Sequence, residues 1–153
     1  MNSRFKQGKF VANFPEKCIN TGLPTFRSSY EERFMKFLDT CKNVIKWGSE
    51  THIVQYFLEA DGKTHRYFID FYMEVVDATD GTVKKYLIEV KPENQTVMPK
   101  VHAKMTAKRM RNLQDQMKVA FMNKAKWEAA VRYAKSHAME FKVITEKDLG
   151  IYR

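Results

Sequence analysis

Two short stretches, Tyr67-Phe68-Ile69-Asp70-Phe71 and Leu87-Ile88-Glu89-Val90-Lys91, have the apolar texture of buried strands and yet carry charged side chains. Burying a charge is costly unless the charge is paired or binds a metal. The turn signal Asp80-Gly81 lies between the two stretches and predicts that they are antiparallel neighbours. We therefore expect their charged residues to meet in a site that binds an ion.

The spacing of these charges predicts the kind of ion. Residues two apart in a strand face the same side, so Glu89 and Lys91 share one surface, and Asp70 can lie across from them in the hairpin. The oxygens of Asp70 and Glu89 can then bind a hard divalent cation, which favours Mg2+ with part of its water shell retained. The alternative interpretation of these charges is an internal salt bridge between a carboxylate and Lys91, with no bound ion.

The rest of the chain predicts one α/β domain. Residues 1–28 mix aromatic, basic, Gly and Pro residues without a helical or strand period, so we expect an irregular basic arm before a single domain at 29–153. Ser29-Tyr30-Glu31-Glu32 predicts a capping box. The helix that starts there is expected to run to about Lys46, with Gly48 as its C-terminal cap.

Residues 50–90 predict a three-stranded antiparallel meander with turns at Asp61-Gly62 and Asp80-Gly81. A polar loop is expected between Pro92 and Pro99. The remaining patterns predict a helix over 103–117, a helix capped by Asn123, a strand over 141–144 and a short terminal helix capped by Thr145. This order predicts a mixed β-sheet flanked by helices.

The first helix carries two adjacent carboxylates, Glu31 and Glu32, and its period places them on different faces. Glu31 is in register with Phe34 and Leu38 on the buried face, whereas Glu32 lines up with Lys36 on a polar face and serves the capping box. We therefore assign Glu31 to the ion site. A carboxylate favoured at a helix N-terminus by the helix dipole is the alternative interpretation.

Charge is distributed unevenly along the chain. The formal net charge is +9, yet residues 29–92 carry nine basic and eleven acidic side chains. This pattern is typical of a protein that binds phosphate around an acidic centre. Basic residues on the second helix could follow a phosphate backbone, although a solvated helix face has the same pattern: Lys104, Lys108, Arg109, Arg111 and Lys118.

The sequence favours neither secretion nor membrane insertion, because it has no stretch of about 18 apolar residues and no apolar run typical of a signal peptide. Cys18 and Cys41 lie far apart without CxxC spacing, which predicts neither a zinc site nor a disulfide framework. A reduced, cytosolic setting is expected.

The order of a helix bearing Glu, then Asp, then Glu-x-Lys on adjacent strands resembles the PD-(D/E)XK nuclease superfamily. At finer grain, the chain resembles the head-completion nucleases of T-even-type tailed phages and, more distantly, the end-cleaving endonuclease subunits of cut-and-paste transposons. The resemblance implies a restriction-endonuclease-like αβββαβ core. It is carried by Arg27-Ser28-Ser29-Tyr30-Glu31, Trp47-Gly48-Ser49-Glu50, Arg66-Tyr67-Phe68-Ile69-Asp70, Ile88-Glu89-Val90-Lys91-Pro92 and Phe141-Lys142-Val143-Ile144-Thr145-Glu146.

The resemblance also implies roles for individual residues. Asp70 and Glu89 would bind Mg2+, or Mn2+ in its place, with help from the backbone carbonyl of Val90. Lys91 would orient or activate the attacking water. Glu31 would complete the acidic set and support a second ion.

Two further positions qualify the resemblance. Ile69, rather than the proline of the superfamily name, precedes Asp70, but the order of the motif still supports the assignment. Glu50 is an additional candidate, because it ends one of the stretches that carry the resemblance.

The implied function is hydrolysis of phosphodiester bonds in packaged phage DNA, by endonuclease or exonuclease action, so that a filled head can accept a tail. The implied partners are DNA and phage head or neck proteins, with a dimer as an open possibility. The protein would act in the host cytoplasm during assembly or in the virion head. The alternatives are a non-catalytic DNA-binding head-completion protein and a transposon-type or repair-type endonuclease.

Overall fold

The computed structural model describes residues 6–150. Residues 1–5 of the predicted arm and residues 151–153 at the C-terminus lie outside this range. The elements in chain order are β1 (Gly8–Lys9), a 3-10 turn (Pro15–Lys17), β2 (Thr25–Phe26), α1 (Ser29–Thr40), β3 (Val44–Ser49), β4 (Ile53–Leu58), β5 (Lys63–Phe68), β6 (Phe71–Val76), β7 (Val83–Val90), a 3-10 turn (Glu93–Gln95), α2 (Ala107–Ser136) and β8 (Glu140–Ile144).

The main sheet within residues 6–150 has four strands in the order β3-β6-β7-β8. The β3–β6 and β6–β7 pairs are antiparallel, and the β7–β8 pair is parallel. Side chains alternate along β7, so Ile88 packs with α1 residues on one face while Leu87 packs with α2 residues on the other. The predicted mixed sheet flanked by helices is thereby confirmed.

The first helix is shorter than predicted. α1 ends at Thr40, because Cys41 adopts an extended conformation and its N–H donates to the carbonyl of Phe37. The β-branched residues that follow start β3, and Trp47 is fully buried in the core below α1. Gly48 therefore belongs to a strand, and the predicted C-terminal cap at this residue is wrong.

The predicted three-stranded meander is also wrong. Residues 50–90 form four strands, and within residues 6–150 two of these, β4 and β5, pair only with each other in a separate two-stranded hairpin. Both predicted turns are present, and Gly62 and Gly81 adopt left-handed backbone conformations that suit tight turns. The Asp80-Gly81 turn joins β6 and β7 as antiparallel neighbours, as predicted.

The two helices predicted after residue 100 are one helix. α2 spans 30 residues and starts at Ala107, with the Thr106 hydroxyl accepting a hydrogen bond from the N–H of Arg109. Asn123 is buried in the middle of α2 instead of capping a new helix, and the segment has no Gly or Pro to interrupt it. Within residues 6–150, neither helix is long and apolar enough to cross a bilayer.

The N-terminal segment predicted as an irregular arm shares the core of the domain. β1 and β2 form an antiparallel pair, and Phe10 and Phe26 are buried in the same cluster as Phe34 and Trp47. Two residues flanking this pair, Phe14 and Leu23, are exposed. Packing of this segment against the domain therefore depends on a few buried aromatic side chains, including Phe10 and Phe26.

The C-terminal strand is predicted correctly, since β8 covers residues 140–144. Residues 146–150 form turns, and the Thr145 N–H donates to the Asp148 carboxylate, so the predicted helix is absent from the described part of the chain. The polar loop after β7 contains a single 3-10 turn. Its Glu93 is tied to the C-terminal segment by the Glu146 carboxylate and the Lys147 ammonium.

Candidate active site

The strand register brings two of the predicted acidic residues together. Phe71 in β6 pairs with Ile88 in β7, which makes Asp70 the neighbour of Glu89. The backbone N–H of Val90 donates a hydrogen bond of 2.9 Å to Asp70 Oδ2. Asp70 is not inside a strand, as the sequence predicted, but at a bend between β5 and β6, where the chain passes from the hairpin to the main sheet.

The Glu89 carboxylate is buried and held from two sides. The hydroxyl of Tyr67 donates to Glu89 Oε2 at 2.5 Å, and Lys91 Nζ lies 3.6 Å from Glu89 Oε1. The side chain of Glu89 is only 8% exposed, whereas that of Lys91 is 28% exposed. Lys91 therefore connects a buried carboxylate to the solvent side of the site.

Tyr67 is a site residue that the sequence prediction missed. Burial, and then the negative charge of Glu89, raise the pKa of the Tyr67 hydroxyl, so it stays protonated and acts as a donor. The buried indole of Trp127 lies close enough to oppose this rise in pKa, although its Nε1 forms no hydrogen bond of good geometry within the described residues. Nothing in the local pattern of β5 distinguishes Tyr67 from an ordinary core tyrosine.

The surroundings of Asp70 disfavour a negative charge on its carboxyl group. Burial raises the pKa of its carboxyl well above the ordinary value, the charge of Glu89 raises it further, and Glu31 contributes in the same direction. The Val90 N–H and the Lys91 ammonium oppose this rise in pKa. A bound cation would relieve the repulsion between the two neighbouring carboxylates.

Glu31 faces the site and also caps its own helix. Burial is the largest cause of the raised pKa of Glu31, and the charges of Glu50 and Glu89 add to it. Its carboxylate accepts a hydrogen bond from the Arg27 N–H, and its N–H donates to the Ser28 hydroxyl at 3.1 Å. Glu31 is therefore partly buried and also takes the capping position that the sequence prediction gave to Glu32.

The helix cap is displaced by one residue from the prediction, and the Glu31 carboxylate accepts from the N–H of Arg27 rather than from that of the N-cap residue. Ser28, not Ser29, is the N-cap residue, and Glu31, not Glu32, is the carboxylate three positions later. Glu32 instead forms ion pairs with Lys6 at 3.1 Å and with Lys36 at 3.8 Å.

Arg27 and Glu50 extend the charged network. The Arg27 guanidinium pairs with the Glu50 carboxylate, and the charges of Glu50, Glu31 and Asp70 raise the pKa of Arg27. Glu50 has a φ of 55°, which costs about 1–3 kcal/mol for a residue other than glycine, and its N–H donates to the Asp70 carbonyl. Strain of this kind is typical of functional sites.

The donor set fits a hard divalent cation in its chemistry. Asp70 and Glu89 supply carboxylate oxygens, and their mutual repulsion favours a positive ion between them. Within residues 6–150, however, no group of three or more His, Cys, Asp or Glu side chains is gathered closely enough to hold a metal. In this arrangement the Glu89 oxygens are engaged by Tyr67 and Lys91 instead.

The predicted basic stripe lies on an exposed part of the chain, in the residues just before α2 and in its first half. Arg109 donates to the Lys104 carbonyl at 2.6 Å and so helps to start α2. The first half of α2 has few buried side chains, since its buried residues begin at Asn123. The five predicted contact residues are all exposed: Lys104, Lys108, Arg109, Arg111 and Lys118.

Comparison with known proteins gives two nuclease matches. Residues 41–146 match the family model described as TnsA-like endonuclease N terminal, a range that includes Asp70, Glu89 and Lys91 but not Glu31. The chain is also 34% identical over 125 residues to the "Head completion nuclease" of Enterobacteria phage T4, covering 82% of this chain and 80% of that protein. The predicted resemblance to nucleases is confirmed.

Proposed function

Because this chain belongs to the TnsA-like endonuclease family, we propose that it is a nuclease that hydrolyses DNA with a divalent metal ion held by Asp70 and Glu89. One observation carries this proposal. The β6–β7 register sets the two carboxylates side by side, with the Lys91 ammonium within 3.6 Å of one of them. Acidic residues beside a lysine at the adjoining ends of two neighbouring strands suit metal-assisted phosphodiester hydrolysis.

The metal would be Mg2+, for which Mn2+ can substitute. Asp70, Glu89 and the backbone carbonyl of Val90 would hold it, and the raised pKa of Asp70 supports a cation at this position. When bound, such an ion polarises the scissile phosphate and lowers the pKa of a water molecule. Glu31, whose pKa is raised partly by the charge of Glu89, completes the acidic set.

Lys91 acts on the substrate side of the site. Its side chain is 28% exposed, so its ammonium can approach a phosphate while staying near Glu89. A positive charge placed there offsets the negative charge that builds up on the phosphate oxygens in the transition state. Lys91 also orients the attacking water.

The biological substrate that we propose is packaged phage DNA. The relative from phage T4 is named a head completion nuclease, and this chain covers 80% of its length. We propose that the present protein trims or cuts DNA of filled heads, in the host cytoplasm during assembly or in the virion head, in contact with head or neck proteins. The exposed basic stripe at the start of α2 would bind the DNA backbone.

Incubation of the protein with supercoiled plasmid tests the catalytic proposal. We expect cleavage in Mg2+ or Mn2+, none in EDTA, and at least a hundredfold slower cleavage by Glu89→Ala because a metal ligand is lost. Glu74→Ala is the matched control, since Glu74 also lies in the antiparallel β6–β7 pair but faces Lys85. Equal cleavage by wild type and Glu89→Ala would overturn the assignment of the site.

The same assay separates the competing functions. A structural head-completion protein that only binds DNA would leave the plasmid intact in both metals. A transposon-type or repair-type endonuclease would cut preferentially at defined ends or junctions, which a panel of supercoiled, linear and branched DNA would reveal.

A further inference from the structure

The outer face of the β4–β5 hairpin carries large apolar side chains that the fold leaves exposed. Ile53 is 44% exposed, Phe57 is 57% exposed and Phe68 is 45% exposed. The inner face of the same hairpin is buried, with Val54 and Tyr67 in the core beside α2. Apolar side chains that form a contiguous exposed patch mark an interaction site, whereas single scattered ones do not.

Cross-strand pairing gathers polar and apolar groups of this face into rows. Ile53 pairs with Phe68 and Gln55 pairs with Arg66. The Arg66 guanidinium lies over the Phe68 ring, 5.7 Å from its centroid. The face thus offers a ring and a guanidinium, planar groups on which nucleic acid bases stack, together with an amide that can form hydrogen bonds.

This face leads directly into the acidic site. Phe68 is followed by the buried Ile69 and then by Asp70, so the Cα atoms of Phe68 and Asp70 can be at most about 7 Å apart. Backbone pairing also continues past the hairpin, because the Ile69 N–H donates to the His52 carbonyl. A base resting on Phe68 would therefore hold its strand next to the proposed scissile phosphate.

We propose that this outer face is a stacking platform for unpaired DNA bases, defined by Ile53, Gln55, Phe57, Arg66 and Phe68. Bases of an intact duplex are stacked on one another and do not present their faces to a protein surface. The platform consequently directs the enzyme to single-stranded ends, flaps and forks in preference to uninterrupted duplex. This inference rests on the proposed nuclease function and adds the substrate class.

Binding is measured in EDTA, so that no DNA is cut, by fluorescence anisotropy of a labelled 20-nucleotide single strand and of a blunt 20-base-pair duplex. We expect Phe68→Ala and Arg66→Gln each to weaken single-strand binding roughly five- to fiftyfold and duplex binding less than twofold. Phe37→Ala is the matched control, since Phe37 is a phenylalanine of similar exposure, 48%, on α1.

Two conservative variants distinguish stacking from apolar area and guard against misfolding. Phe68→Tyr keeps a ring and should bind the single strand as wild type does. Phe68→Leu keeps an apolar side chain without a ring and should lose single-strand binding. The inference is overturned if Phe68→Leu binds normally, or if the platform variants weaken single-strand and duplex binding equally.

Cleavage of a forked duplex and of plasmid in Mg2+ separates this inference from the proposed function. Wild type that cuts neither DNA would refute the nuclease proposal, whatever the binding results. Wild type that cuts both, with Phe68→Ala slowed equally on both, would refute the platform and leave the nuclease proposal standing. Selective slowing on the forked duplex is the result expected.

Discussion

At the scale of single residues, Tyr67 connects the hairpin to the acidic site through one hydroxyl group. Its ring belongs to the core beside α2, and its hydroxyl donates to the buried Glu89 carboxylate. Hydrogen bonds to charged groups are stronger than neutral ones, and a buried charge that loses its donor is destabilised. Tyr67 is therefore a positioning residue for Glu89.

Replacing Tyr67 by Phe should impair both stability and activity. The loss of a donor to buried Glu89 should cost about 1–3 kcal/mol in the free energy of unfolding, measured by urea denaturation. Misorientation of Glu89, the proposed metal ligand, should slow the proposed Mg2+-dependent cleavage about tenfold. Tyr56→Phe is the control, because Tyr56 is buried on the same face but two pairs farther from Asp70. Equal behaviour of the two variants would contradict the positioning role.

Asp70 should make the stability of the metal-free protein depend on pH. The pKa of an aspartyl carboxyl in the unfolded chain is about 3.9, and burial beside Glu89 raises the pKa of Asp70 well above its ordinary value in the folded protein. The folded state thus binds this proton more tightly. The corresponding stability is present below about pH 4 and is lost as pH rises through the folded pKa.

Asp70→Asn should remove the cost of burying a charged carboxylate at neutral pH. The side-chain oxygen of the asparagine can still accept the hydrogen bond from the Val90 N–H. In EDTA, thermal unfolding should occur at a higher temperature for Asp70→Asn than for wild type at pH 7, with the difference shrinking toward pH 4. Mg2+ should stabilise wild type and not the variant. A wild-type protein that is the more stable of the two at pH 7 would show that Asp70 has a more favourable environment than its burial implies.

At the scale of elements, the start of α1 decides where Glu31 lies. The Ser28 hydroxyl caps the helix, and the Glu31 carboxylate returns to the Arg27 N–H. A sequence with two adjacent serines and two adjacent glutamates allows the capping box in either of two frames. In the observed frame Glu31 is partly buried and lies within reach of the charges of Glu50 and Glu89, whereas Glu32 pairs with Lys36.

The two serines provide a matched test of this frame. Ser28→Ala should lower the free energy of unfolding by about 1 kcal/mol, because an N-cap hydrogen bond is lost, whereas Ser29→Ala should change it little. Urea denaturation of the two variants measures the difference. The opposite order of effects would restore the capping box first predicted, with Glu32 as its carboxylate.

At the scale of the whole molecule, two aromatic residues join the N-terminal segment to the core. Phe26 is 5% exposed and Phe10 is 7% exposed, and both lie in the cluster that contains Trp47. The segment also reaches β3, since the Asn20 side chain exchanges hydrogen bonds with the backbone of Ser49. The residues before α1 thus support the strand that leads to Glu50.

Phe26→Ala should therefore destabilise the whole domain. Truncation of a buried phenylalanine costs about 3–5 kcal/mol, and urea denaturation should show this loss as a single cooperative transition. Phe14→Ala, in the same segment but 47% exposed, should cost less than about 1 kcal/mol. Similar effects of the two variants would indicate that this segment is peripheral to the core.

The sequence by itself was sufficient to predict the features that depend on local periodicity. The alternation of side chains and the Asp80-Gly81 turn predicted that Asp70 lies beside Glu89, and helical phase predicted that Glu31 faces inward. Element ends were less predictable. Val44 and Ile45 continue the apolar period of α1, and only the pairing of β3 with β6 makes them part of a strand.

Only the tertiary structure decided which other side chains complete the site. Tyr67 reaches Glu89 across 22 residues of sequence, and Arg27 reaches Glu50 across 23. Such contacts join elements whose relative positions are set by core packing, and neither period 2 nor period 3.6 encodes them. Charged residues that need a partner can therefore be recognised in the sequence. Their partners, the Tyr67 hydroxyl and the Arg27 guanidinium, can be identified only from the packed structure.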